Sequence, residues 1–252
     1  MKIMRFSYNG KTSTGALEGD KINIINGDIF GTYSLTGELV SISEVKPLPP
    51  CEPSKVVCVG LNYVGHQEEM KEFADAFPKL FLKPVTAIIA DGENIVRPDG
   101  VDNVEFEAEF AIVIKKTAKN IEKGSANDYI LGYTCMNDVT ARKIQSIDGQ
   151  WTRAKAYDTF APLGPVISTE VDPKNAGIQL IQNGKVMQSA STAMLIWDVE
   201  FLVEEISKIM TLLPGDVIST GTPSGCGEMK NGDKIEIAID GIGTLTNYFS
   251  GE

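Results

Sequence analysis

Val104-Glu105-Phe106-Glu107-Ala108-Glu109-Phe110-Ala111-Ile112-Val113-Ile114 alternates polar and apolar residues in its first half and is continuously apolar in its second. That pattern predicts a strand running from the surface into a core. Residues i and i+2 of a strand share a face, so Glu107 and Glu109 stand together, with Glu105 at the exposed end of the same row. Two like charges entering a core cost several kcal/mol unless something neutralises them. A divalent cation is one remedy, and oxygen-only ligands favour Mg²⁺, Mn²⁺ or Ca²⁺ over zinc. The solvated face of an amphipathic strand accounts for the same letters, and the local pattern leaves both readings open.

Working outward, Tyr129–Asp138 reads as a second strand that ends on an acid, and Thr140–Ile147 as a short helix after it. Asp138 is therefore placed to cap a helix as much as to hold a metal. His66 is the only histidine, and at i, i+3 on a helical turn it can meet Glu69. A carboxylate beside an imidazole orients its tautomer and raises its basicity, which makes a general base. A surface His–Glu pair has the same spacing. Residues 66–77 read as a helix or an irregular lid.

The remaining chain is rich in strand signals. Lys21–Ile25 reads as a strand entering a hairpin turn at Asn26-Gly27, and Lys46-Pro47-Leu48-Pro49-Pro50 as a linker that separates a small N-terminal β subdomain, 1–50, from a larger unit, 51–252. Lys55–Val59 has the look of a buried strand. Ile178–Gln188 holds Asn183-Gly184 between apolar stretches, a hairpin signal. Val199, Leu202, Val203, Ile206 and Ile209 fall on one face and predict a helix over 198–210, stopped by Pro214-Gly215. Asp216–Thr220, Lys234–Ile239 and Gly243–Phe249 read as closing strands. The expected class is α+β, strand-dominated, without solenoid repeats.

The 252 residues carry a formal net charge of −11. This argues against nucleic-acid binding by phosphate neutralisation and against an anionic membrane surface. It does not exclude anionic small substrates, because a local cluster of cations can reverse the field in a cleft. No run of about 18 apolar residues predicts a membrane span, and the first residues do not resemble a signal peptide. Cys51, Cys58, Cys135 and Cys226 are scattered and are expected as mostly buried free thiols in a reducing cytoplasm.

Several motifs, in order, carry a resemblance. They are Gly60-Leu61-Asn62-Tyr63 with His66 and Glu69; Phe81-Leu82-Lys83-Pro84; Glu107-Ala108-Glu109-Phe110; Asn137-Asp138-Val139-Thr140-Ala141-Arg142 with Gln145; Trp151-Thr152-Arg153-Ala154-Lys155; and Gly221-Thr222-Pro223-Ser224-Gly225. From about residue 55 to 249 the chain resembles the fumarylacetoacetate hydrolase family, in its shorter members: acylpyruvate hydrolases, oxaloacetate decarboxylases and 2-hydroxyhepta-2,4-diene-1,7-dioate isomerases.

The resemblance implies a mixed β-sandwich roll, a homodimer, and Mg²⁺ or Mn²⁺ on Glu107, Glu109 and Asp138. It implies a 2-oxo acid substrate whose enolate the metal stabilises. His66 and Glu69 match a water-activating dyad, and Lys155 matches a lysine that stabilises or protonates the enolate. Arg142 and Gln145, four and seven residues past Asp138, would share its face on a helix and contact substrate. Thr222 would hold the substrate carboxylate, and Lys83 is a further candidate for the pocket. Two departures from the family pattern narrow the expectation. Val57–Tyr63 contains no acid, which favours the three-carboxylate site of the shorter members, and the short interval from Gln145 to Lys155 leaves the substrate open. The leading expectation is C–C bond hydrolysis of a small 2-oxo or 2,4-dioxo acid. Decarboxylation or isomerisation at the same site is the second, and a non-catalytic binding protein the third.

Overall fold

A computed structural model describes residues 1–70 and 77–251. The chain opens with an antiparallel meander of β1 (Lys2–Tyr8), β2 (Lys11–Glu18), β3 (Lys21–Gly27) and β4 (Tyr33–Ser41). Asn9 and Gly10, both at positive φ, make the two-residue turn between the first two strands. The turn expected at Asn26-Gly27 falls later. Both residues stay in β3, paired with Ser34 and Tyr33, and the chain reverses over residues 28–32. The expected linker also begins as structure: β5 (Lys46–Pro47) pairs with β1, Phe6 opposite Pro47. A two-residue strand ending in proline is tolerated there because such a short piece needs few N–H donors.

Next come β6 (Val56–Gly60), α1 (Val64–Met70), β7 (Lys79–Lys83), β8 (Ile88–Ile89) and β9 (Asn94–Val96). The stretch expected to be one strand over 104–114 is two, β10 (Val104–Phe106) and β11 (Ala108–Ile114), interrupted at Glu107. After them lie β12 (Ile130–Asn137), β13 (Thr140–Ala141), α2 (Arg142–Asp148) and α3 (Thr152–Lys155). The helix expected over 140–147 thus starts at Arg142, capped by Ala141, so Asp138 is not a helix cap and shares no helical face with Arg142 and Gln145. The chain finishes with β14 (Ala161–Ser168), β15 (Gly177–Gln182), β16 (Lys185–Ser191), α4 (Val199–Ile209), β17 (Val217–Ser219), β18 (Gly227–Glu228), β19 (Lys234–Ile239) and β20 (Gly243–Ser250).

Among the described residues these strands form three sheets. The largest has the order β4-β3-β2-β1-β14-β12-β11-β17-β6-β7, with β5 added on β1 and β8 on β14. A three-stranded sheet runs β13-β10-β18, and a five-stranded one β16-β15-β19-β20-β9. The pairs β17–β6, β14–β8 and β20–β9 are parallel and most others antiparallel, which makes the β-rich fold mixed.

Every residue of β11 is buried. Phe110 and Ile112 join one core cluster, while Ala111 and Val113 join another. A strand covered on both faces reads as an unbroken apolar run, which explains the second half of the stretch. Helix α4 covers the first cluster with Leu202, Val203 and Ile206, and its first turn is tied by Asp198, whose carboxylate accepts from the Phe201 N–H at 2.8 Å. None of the described helices is long and apolar enough to cross a membrane.

Leu202 is fully buried beneath α4. Leu202→Ala should destabilise the protein by about 2–5 kcal/mol through lost transfer energy and the cavity left behind, read as a lower denaturant midpoint at unchanged slope.

Candidate active site and metal centre

The break at Glu107 is where the chain passes from the small sheet to the large one. A residue leaving a ladder loses its backbone partners, and here side-chain amides replace them. Asn137 Oδ1 accepts from the Glu107 N–H at 2.9 Å, and Gln188 Oε1 accepts from the Ala108 N–H at 2.9 Å. The Asp138 N–H donates to the Glu107 carbonyl at 2.9 Å, so the two acids are joined through their backbones. Glu109 lies inside β11, opposite Met136. Carboxylate oxygens of Glu107, Glu109 and Asp138 all lie within 4.8 Å of one another, on residues no more than 3% exposed. The solvated-face reading therefore does not hold for Glu107 and Glu109.

Cations offset the first and third. Lys155 Nζ donates to Glu107 Oε2 at 2.7 Å and to Asp138 Oδ2 at 2.6 Å. Lys83 is 1% exposed and donates to Asp138 Oδ1 at 2.5 Å and the Val139 carbonyl at 3.0 Å. Arg142 grips Glu107 with Nη2, Glu105 Oε2 with Nε at 2.8 Å, and Gln145 Oε1 with Nη1 at 2.6 Å. Among the described residues Glu109 meets only neutral hydrogen-bond donors, the Ser219 hydroxyl and the Gly221 N–H at 3.0 Å.

The protonation of the two glutamates follows this division. Burial raises the carboxyl of Glu107, but Lys155 and then Arg142 outweigh it and hold the group well below the ordinary range. Burial, then Asp138 and Glu107, push Glu109 up to about 8. Burial lowers Lys155, but Asp138 and Glu107 reverse this and hold its ammonium protonated.

His66 lies on α1, 5% exposed, with Nδ1 3.2 Å from Glu69 Oε2. The turn before α1 is pinned by Asn62, whose amide donates to the Thr220 carbonyl at 2.7 Å and the Trp197 carbonyl at 3.0 Å. The Gly225 N–H donates to both Glu69 oxygens at 3.2 Å. Only part of the expected helix or lid over 66–77 can be placed, because residues 71–76 lie outside the described residues.

These groups meet at one cavity of about 150 Å³, whose lining includes His66, Glu107, Glu109, Asp138, Arg142 and Lys155. Gln145 and Thr222 also border it; Lys83 does not, and acts on the cavity through Asp138. The Thr222 hydroxyl is already engaged, donating to the Ala108 carbonyl and accepting from Gln188, each at 2.9 Å. Phe81 and Trp151, edge to face at 5.2 Å, form an aromatic wall against the Lys155 ammonium, 5.1 and 6.0 Å from their rings. Sequence reasoning missed Ser219, Gln188 and the supporting role of Asn137. A polar residue ending the apolar run of β17 was the one available signal for Ser219.

Residues 55–250 match the fumarylacetoacetate (FAA) hydrolase C-terminal family, and residues 1–50 match an Rv2993c-like N-terminal family. The chain belongs to the fumarylacetoacetate hydrolase family. Among its relatives, oxaloacetate tautomerase YisK of Bacillus subtilis is 39% identical over 226 residues, covering 83% of this chain and 74% of that protein. The crystal structure of 2-hydroxyhepta-2,4-diene-1,7-dioate isomerase from Mycobacterium marinum superposes with a TM-score of 0.92 at 44% identity, covering 99% and 98% of the two chains. Maleylpyruvate hydrolase from Sphingobium sp. SYK-6, in complex with manganese(II) and pyruvate, gives 0.83 at 27% identity with 99% of each chain covered. The family thus includes tautomerases, isomerases and hydrolases, and the shorter branch expected from the motifs is the one these relatives represent.

The acidic cluster fits a hard divalent cation. Its donors are all oxygen, and Glu109 is held protonated by burial and by the two carboxylates that a cation would screen. Ligation needs the Glu109 anion. With its pKa at about 8, binding Mg²⁺ at pH 7 should release close to one proton, and apparent affinity should weaken as pH falls below 8. Titration calorimetry in buffers of different ionisation enthalpy reads that proton directly; no release would show that Glu109 does not exchange a proton for the cation.

Proposed function

We propose that this protein catalyses metal-dependent enol–keto proton transfer on a small 2-oxo acid of the oxaloacetate class. The observation that carries the reading is an acid and a base facing one carboxylate cluster: Lys155, held protonated, and His66, oriented by Glu69, both border the same cavity. The relatives named as a tautomerase and an isomerase, 39% and 44% identical, support this reaction type over hydrolysis.

A cavity of about 150 Å³ is below the roughly 300–1,000 Å³ of drug-sized ligand sites, which favours an acid of a few carbons. Glu107, Glu109 and Asp138 would hold a divalent cation, which supplies Lewis-acid stabilisation of an enolate. The neighbour in complex with manganese(II) and pyruvate supports both the ion type and the substrate class. His66 takes and returns the carbon-bound proton beside the 2-oxo group. Lys155 donates a hydrogen bond to the enolate oxygen, whose own proton exchanges with solvent. Gln145, whose carbonyl oxygen is occupied by Arg142, keeps its NH₂ to donate to a substrate oxygen. Arg142, engaged with Glu105, Glu107 and Gln145, acts by positioning Glu107. Because its hydroxyl is committed, Thr222 would serve a substrate carboxylate through its backbone N–H.

Hydrolysis of a C–C bond in an acylpyruvate is the second reading. The His66–Glu69 pair favours it, because the same base can act on water.

The decay of enol-oxaloacetate with protein and Mg²⁺ or Mn²⁺ should outpace metal alone, and His66→Ala should slow it about 10²–10⁴-fold with Mg²⁺ affinity retained. Equal rates with and without protein would overturn the proposal. Pyruvate plus a second carboxylic acid formed efficiently from an acylpyruvate would replace it with the second reading.

A further inference from the structure

A second group of donors lies beside the carboxylate cluster and is chemically unlike it. His66, Glu69 and Cys226 bring a ring nitrogen, a carboxylate oxygen and a sulfur within 4.8 Å of one another. The three-carboxylate cluster suits hard ions, whereas nitrogen, oxygen and thiolate together suit zinc-like ones. Cys226 is also unlike the other cysteines. Cys51, Cys58 and Cys135 are buried, while Cys226 is partly exposed on the loop that follows Thr222.

The loop fixes the group from the other side. The Gly225 N–H holds both Glu69 oxygens, so Glu69 is tied to the residue next to Cys226. Gly225 sits at φ +97, and a Cβ there would lie 2.3 Å from the Met187 carbonyl oxygen. Only glycine fits that position, and the tight turn is what brings Cys226 back toward α1. The Gln188 amide donates to the Cys226 sulfur at 3.7 Å, and the thiol reaches the Pro223 carbonyl at 4.0 Å.

The spacing suits a small tetrahedral ion. Zinc–nitrogen and zinc–oxygen bonds of about 2.0–2.2 Å put two such ligands roughly 3.3–3.5 Å apart across a tetrahedron. His66 Nδ1 and Glu69 Oε2 are already 3.2 Å apart. The sulfur lies within 4.8 Å of a ring nitrogen of His66 and a carboxylate oxygen of Glu69, so it needs to approach by no more than about 1 Å to meet the roughly 3.6 Å expected for a zinc–sulfur bond of about 2.3 Å.

We propose that His66 Nδ1, a Glu69 oxygen and Cys226 Sγ form a second cation site, selective for a thiophilic divalent ion such as Zn²⁺, whose occupation switches off the base. Cys226 gives up its thiol proton to solvent on binding, and water completes the shell. With the ion on Nδ1, the neutral imidazole carries its proton on Nε2 and has no free lone pair. Glu69, now a ligand, no longer orients the ring. The site thus responds to a different class of ion from the one the neighbouring carboxylates take, and Mg²⁺ does not compete for a thiolate. The inhibitory consequence rests on the proposed role of His66; the binding itself does not.

The test uses Co²⁺, added to the full-length protein at saturating Mg²⁺. A thiolate-to-cobalt charge-transfer band should appear in the near ultraviolet for the wild type and vanish in Cys226→Ser and in His66→Ala. Zn²⁺ should bleach it, and Cys226→Ser should weaken Zn²⁺ binding by roughly 10–100-fold or more. Cys226→Ser should keep the Mg²⁺-dependent activity of the wild type and lose its sensitivity to Zn²⁺. No band in a folded wild-type protein, or a band that survives Cys226→Ser, would overturn the site. The spectrum needs no turnover, so it stands even if the enol–keto assay fails. A protein that turns over substrate but shows no band loses this inference alone. Should Cys226→Ser fail to fold, as read by its melting temperature, Cys226→Ala and His66→Ala carry the same comparison.

Discussion

Three carboxylates within 4.8 Å of one another, on residues at most 3% exposed, repel one another, and the surrounding structure is arranged to offset that repulsion. At an effective dielectric of about 20, like charges at that distance cost about 3–4 kcal/mol a pair, while opposite charges at hydrogen-bond distance return about 6 kcal/mol. The attraction wins wherever a cation reaches. Lys155 reaches two of the acids, Lys83 one and Arg142 one. None of the three reaches Glu109. That acid keeps its proton instead, and its carboxyl is the one pushed up to about 8. The compensation is therefore uneven, and the unevenness marks the position where a further positive charge fits.

The backbone makes this cluster geometrically available. A continuous strand would have held Glu107 and Glu109 on one face of one sheet. The chain instead changes sheets at Glu107, with Asn137 and Gln188 taking over the hydrogen bonds that the ladder drops there. An unpaired buried N–H costs about 1–3 kcal/mol, so these two amides help make the crossing stable. Gln188 also donates to Thr222 and to the Pro223 carbonyl. One side chain thus joins the strand crossing to the loop that carries Gly225 and Cys226.

The sequence was legible where periodicity and motif agreed. The hairpin at Asn183-Gly184 and the helix ending at Ile209 follow from local rules, and both form where expected. Glu107 and Glu109 were paired by strand periodicity, and only the family motifs joined Asp138 to them; the strand argument was half right, since Glu107 lies at a break and not within a strand. Pattern could not show the break, because it is stabilised by Asn137 and Gln188, thirty and eighty residues away. Lys83 was expected only as a further candidate for the pocket. Its burial beneath Asp138 depends on a contact across fifty-five residues. Ser219 has no periodic mark at all. The Lys46–Pro47 pairing was missed because proline was taken as a stop when a short strand can end on it.

The same charge asymmetry bears on how an anionic substrate enters a cavity lined by acids. In the metal-free protein Glu109 is neutral at pH 7, whereas Lys155 and Arg142 border the cavity as cations. Were the proposed divalent cation taken up and Glu109 to lose its proton, two positive charges would arrive and one would be lost, so the cavity would become more positive by one unit. An acidic protein would thereby gain a locally cationic pocket without further basic residues. Under the proposed function that sign sets an order: a 2-oxo acid anion would bind better after the cation than before it, and Glu109, through the proton it releases, would set how much better.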